Sequence, residues 1–118
     1  MVAINFKRQF VDAVRDGSKR QTIRRERKRN PIVTGTKLQL YFNQRSSKNE
    51  LLAETVCTKT EALAIEDNGT WVLLNGRTLD FQEKQALAHA DGFKDWGTML
   101  EFIQYAYGLP FDGRVIHW

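Results

Sequence analysis

Asp16-Gly17-Ser18-Lys19-Arg20-Gln21-Thr22-Ile23-Arg24 is the stretch from which the rest of the chain takes its order. Upstream of it, Phe6, Phe10, Ala13 and Val14 recur at helical spacing, and Asn5 is placed to cap a helix from about Phe6 to Asp16. Gly17 supplies the left-handed residue that stops such a helix. Thr22 to Arg25 then reads as a short strand. The junction carries an amine and a hydroxyl three residues apart, on Lys19 and Thr22. From Lys19 to Arg29, seven of eleven residues are Lys or Arg, and Glu26 is the one acid. A helix–turn–strand junction so furnished can bind a phosphate, set an amine beside a hydroxyl, or do both.

Working outward, Val2-Ala3-Ile4 predicts a short strand before the helix. After the basic run, a polar loop passes through Asn30-Pro31 to Thr34-Gly35-Thr36. The period then changes to two: Leu38, Leu40 and Phe42 alternate with Lys37, Gln39 and Tyr41, the mark of a half-buried strand. A long β-type segment, rich in Thr and Val, runs from about Leu51 to Ile65. Asp67-Asn68-Gly69 marks a turn, Thr70 to Leu74 a strand, and Asn75-Gly76 a type I′ hairpin turn leading into Arg77-Thr78-Leu79. Asp80 and Glu83 form a capping box for a helix to about Ala90, broken at Asp91-Gly92. Asp95 begins another helix, with Trp96, Met99, Leu100, Ile103 and Tyr107 on one face and Gly108 and Pro110 at its end. Arg114 to Trp118 closes the chain as a strand. The expected fold is one α+β domain over residues 1–118. Five to seven short strands form a small mixed β-barrel with about three flanking helices, since the middle of the chain lacks βαβ alternation.

The length of 118 residues suits one domain, and 42% hydrophobic residues are enough for a core. No apolar run approaches the ~20 residues of a membrane span, so no membrane partner is expected. The N-terminal residues lack the pattern of a signal peptide. Cys57 is alone, which excludes an intrachain disulfide and points to a reducing, cytoplasmic setting. The net charge is +4, and removing the seven positive charges and one negative charge of residues 19–29 leaves about −2. The basicity is local, as in an electrostatic footprint for nucleic acid.

Three sets of residues carry candidate chemistry. Lys19 and Thr22 suit a hydroxyl nucleophile activated by an amine of lowered pKa; alternatively Lys19 is a solvated turn residue and Thr22 a β-branched strand residue. Arg20, Arg24, Arg25, Arg27, Lys28 and Arg29 suit bidentate capture of phosphates, or else form a solvated, charge-rich loop. Tyr41, Arg45 and Trp71 would add stacking surface and charge. For a group that protonates a departing amine, the candidates are Asp91 and Glu26, then Asp16. Asp91, in His89-Ala90-Asp91-Gly92-Phe93, lies just past a helix end where a carboxylate can face a cleft. The reading to prefer on sequence alone is a carboxylate satisfying backbone donors in a turn before a Gly. His89 and His117 are isolated and read as structural. No Gly-rich phosphate loop, HExxH, GxSxG or Cys/His zinc spacing occurs, so no metal and no cofactor are expected.

Gly17-Ser18-Lys19-Arg20-Gln21-Thr22-Ile23-Arg24 resembles the G-x-K-x-x-T-x-R signature of the ASCH (activating signal cointegrator homology) domain family. Thr34 to Tyr41 resembles the segment leading into that family's barrel. Leu74 to Leu79, Ala90 to Phe93, Leu109 to Gly113 and Ile116 to Trp118 look like one bacterial and phage branch of it. The resemblance implies a PUA-like β-barrel whose cleft is bounded by the signature turn, and RNA or a modified nucleoside as partner. It further implies two alternatives to a binding role. One is metal-free hydrolysis of N4-acylated cytidine, with Lys19 and Thr22 as the matching pair and Asp91 nearest to the family's acid. The other is a small metal-independent ribonuclease.

Overall fold

Val2-Ala3-Ile4-Asn5-Phe6 alternates, with Ile4 and Phe6 buried and Asn5 exposed, and that period of two makes it a strand through Phe6. In the computed structural model, which describes residues 1–118, β1 (Val2–Phe6) pairs in parallel with β3 (Lys37–Phe42), Asn5 opposite Tyr41. Asn5 is therefore a ladder residue and caps no helix. The helix expected from Phe6 is shorter: a 3-10 turn, Arg8–Phe10, leads into α1 (Val11–Asp16). It stops as expected at Gly17, whose φ of 83° is left-handed.

β2 (Gln21–Arg25) runs antiparallel to β8 (Phe111–His117), a strand that begins three residues earlier than expected. β8 also pairs with β5 (Lys59–Ile65), which continues to β6 (Val72–Leu74) and β7 (Arg77–Thr78). The single segment expected over Leu51–Ile65 is two strands. Cys57 exchanges backbone hydrogen bonds with Gly35 and Thr36, and then Thr58 N donates to His117 O. The chain thus changes partners at that point. β4 (Glu50–Val56) stays with β3, and β5 joins the other sheet. The result is eight strands rather than five to seven. They pair as a three-stranded sheet, β1-β3-β4, and a five-stranded sheet, β2-β8-β5-β6-β7, with no closed ring of pairing.

Asn75 and Gly76 have φ of 50° and 79°, the positive pair a type I′ turn requires. Asn75 also ties the hairpin down, its Oδ1 accepting from Ala62 N at 2.8 Å. α2 (Phe81–Ala90) opens with the Asp80/Glu83 capping box, and α3 (Trp96–Tyr107) with Asp95 accepting from Thr98 N at 2.7 Å. α3 buries Trp96, Met99 and Ile103 against one continuous core that includes Leu40, Leu63, Val72, Phe111 and Val115. The α+β class with three helices stands. No helix is long and apolar enough to cross a membrane.

Candidate functional site

The turn after α1 folds Lys19 back under the helix that precedes it. Asp16 Oδ1 accepts from Ser18 N at 2.8 Å, and Lys19 N donates to Ala13 O at 3.0 Å. The side chain is then driven inward, and Lys19 is only 1% exposed. Its Nζ donates to Asp91 O at 2.5 Å and lies 3.3 Å from Asp91 Oδ1. The Phe10 ring sits 4.7 Å away, a cation–π neighbour. Gln21 Nε2 donates to the same carboxylate oxygen at 3.3 Å. Asp91 is buried at the end of α2, where the chain reverses through Gly92 at φ 93°. A Cβ on Gly92 would come 3.3 Å from Phe10 and 3.4 Å from Lys19 Cδ, so the turn closes on Lys19 because that residue is glycine.

Burial pushes Lys19 below its ordinary 10.5, opposed by the charge of Asp91. Burial pushes Asp91 above its ordinary 3.8, opposed by Lys19 and the Gln21 hydrogen bond. Both shifts run toward the neutral amine and the neutral acid, because removing charge from water is costly even for paired groups.

Thr22, on β2, is buried, and its Oγ1 accepts from Arg24 Nε at 3.1 Å. That bond uses a lone pair of the hydroxyl and leaves its proton for another acceptor. Arg24 Nη2 donates to Asn5 O at 2.7 Å, and the guanidinium lies 5.2 Å from the Phe6 ring. Arg24 thereby bridges β2 to β1, one strand from each sheet. Lys19, Thr22, Arg24 and Asp91 line one cleft of about 260 Å³, walled by Phe6, Phe10, Phe102 and Tyr107.

The other expected residues lie around or away from this cleft. Arg25 Nη2 donates to Tyr107 O at 2.5 Å, and its guanidinium lies 5.4 Å from the Tyr107 ring. With Arg24, Arg27 and Tyr107 it lines an adjoining hollow of about 270 Å³. Arg27 Nε donates to Arg29 O at 3.4 Å, and Lys28 and Arg29 are exposed beyond it. Arg20 Nε is spent on Trp118 O at 3.0 Å, which fixes the chain end to the strand. Arg45 lines a polar hollow with Asn5 and the loop Asn43–Ser46. Tyr41 does not line the cleft. It shares a face of β3 with Gln39, whose Oε1 accepts from its hydroxyl at 3.4 Å, and aromatic residues of β1, the 3-10 turn and α3 take the place expected for it. Trp71 is exposed in the turn before β6, also outside the cleft.

Among the acids, Glu26 is ion-paired to Arg114 at 3.0 Å, and Asp16 is exposed and serves Ser18. His89 binds Lys94 O at 2.8 Å, and His117 meets Glu61 Oε1 at 2.6 Å. No three His, Cys, Asp or Glu side chains come together as metal ligands. Sequence reasoning did not single out Gln21, Asn5 or Phe102. Gln21 had a signal, a polar residue between Lys19 and Thr22 in the signature. Asn5 was read as a cap, and Phe102 has no local pattern that separates it from core. No family model, curated protein or solved structure matches the chain.

Proposed function

We propose that this chain is an ASCH-type, PUA-like domain that binds RNA or a nucleotide in a reducing, cytoplasmic setting. The base sits in the cleft beside Lys19, Thr22 and Arg24, and the phosphates sit on the basic rim. The observation that carries the reading is the continuity of two hollows. The aromatic cleft and the arginine-lined hollow share Asn5, Arg24 and Tyr107, so an apolar wall for a base adjoins cations for its phosphate. None of Arg24, Arg25, Arg27, Lys28, Arg29 and Arg45 is ion-paired to a carboxylate. The test is RNA binding across a salt series. Binding is expected to weaken steeply with salt, and reversing charge at Arg25, Arg27 and Arg29 together to flatten the slope by about 0.7 per lost phosphate contact. Salt-independent binding, or none at low salt, contradicts the reading.

A second reading, metal-free hydrolysis of an N4-acylated cytidine, is favoured by one observation: Lys19, Thr22 and Asp91 share the cleft, with Lys19 shifted toward the free amine and Asp91 toward the protonated acid. Those are the forms a general base and a general acid need. Thr22 Oγ would attack the acyl carbonyl as Lys19 takes its proton. The cytosine amine would leave with a proton from Asp91, and water would release the acyl group from Thr22. Incubation with N4-acetylcytidine, followed by mass spectrometry, is expected to release cytidine in wild type and none in Thr22→Ala. Release surviving both Thr22→Ala and Lys19→Ala contradicts it.

A further inference from the structure

We infer that the ligand of the cleft is one nucleotide inside a single-stranded polynucleotide, and that the strand crosses the molecule over Asn5. The inference rests on the nucleotide reading above and deepens it. Three hollows meet at Asn5: the aromatic cleft, the hollow beside Arg25 and Arg27, and a hollow of about 470 Å³ under the loop Asn43–Ser46. The third hollow is built rather than incidental. Gln44 N donates to Asn5 Oδ1 at 2.9 Å and pins the loop to β1, while Asn43 turns the chain at φ 54°.

The compartments differ in chemistry as the parts of a strand do. The cleft is aromatic and, at about 260 Å³, smaller than the ~300 Å³ at the low end for drug-sized ligands. Each of the other two hollows carries a guanidinium without a carboxylate partner, Arg27 in one and Arg45 in the other. A nucleotide within a strand has a phosphate on either side of its sugar. A free nucleoside has none, and would leave both arginines unused. A duplex keeps its bases stacked and cannot offer one to so closed a cleft without extruding it. An exposed aromatic side chain stands on α3 as well. Tyr105 is 92% exposed and lies one helical turn from the cleft residue Phe102, where it can stack a neighbouring base.

The experiment compares the four nucleosides with the four homopentamers, RNA and DNA, by calorimetry across a salt series. A pentamer of either sugar is expected to bind more tightly than its nucleoside, with a log–log salt slope steeper by about 1.4, about 0.7 for each flanking phosphate. Arg27→Ala and Arg45→Ala are each expected to remove about 0.7 of that slope and to leave nucleoside binding unchanged. Arg77→Ala, whose cation pairs with Glu83 on α2, is expected to leave both unchanged. Pentamers that bind no better than nucleosides overturn the inference and leave the nucleotide reading standing, as do Arg27 and Arg45 variants that weaken both ligands alike. Binding of neither ligand overturns both.

Discussion

Lys19 and Asp91 form the most demanding pair in the molecule, since both lie out of water and each holds the other in place. Removing one partner of a buried pair costs more than the pair itself contributes, because the other is left uncompensated. Lys19→Met is therefore expected to lower unfolding free energy by about 3–5 kcal/mol in urea denaturation; a loss below about 1 kcal/mol would mean that the pair is solvated. The pH dependence follows from the two shifts. The folded state holds the Asp91 proton above 3.8, so that group's contribution is complete below 3.8 and is lost as pH rises through the elevated folded value. Lys19 mirrors it, contributing fully above 10.5 and losing that contribution as pH falls through its lowered value. From about pH 4 toward neutrality, wild-type stability is expected to fall relative to Asp91→Asn. A constant difference between the two would contradict the raised acid. The signature spacing singled out Lys19 and Thr22, and both line the cleft. The burial of Asp91 was not legible, because an Asp before Gly at a helix end also reads as an ordinary turn.

At the scale of elements, the cleft depends on how closely β2 approaches β8. Gly113 of β8 faces Arg25 in the ladder, and a Cβ there would lie 2.3 Å from Arg24 O and 2.5 Å from the Phe111 ring. Arg24 O is backbone and can yield only by moving the strand that carries Thr22 and Arg24, and the Phe111 ring is held in the core. Gly113→Ala is expected to destabilise by about 1–3 kcal/mol and to weaken ligand binding beyond that. Retention of wild-type thermal stability would show that β2 tolerates the displacement. Asp80→Ala removes the capping box and is expected to cost about 1 kcal/mol with binding unchanged, since α2 contributes only its far end to the site. Capping and turn chemistry were the most readable part of the chain: Gly17, Asn75-Gly76, Asp80-Glu83 and Asp95 all act locally. The start of α1 was misread for the opposite reason. Phe6 and Phe10 have helical spacing, yet β3 is present in the fold to pair with Val2–Phe6, and the ladder prevails over the local pattern.

Over the whole molecule, the separation of charge foreshadowed the arrangement. The basic run begins inside the cleft at Lys19 and emerges along its rim, and Glu26, its one acid, is neutralised by Arg114. The pairing of strands into two sheets was beyond the sequence, because the partner change at Cys57–Thr58 falls inside a continuous β-type stretch. The aromatic wall was equally hidden: Phe6, Phe10 and Phe102 come from three elements that meet only in the fold. The most direct measurement is a titration of the isotopically labelled protein with cytidine 5′-monophosphate, followed through its backbone amide resonances. The shifts are expected to gather on Asn5, Lys19 to Arg25, Asp91 and Phe102 to Tyr107. Shifts confined to Arg27–Asn30, or spread over the α2 surface with the cleft silent, would contradict it.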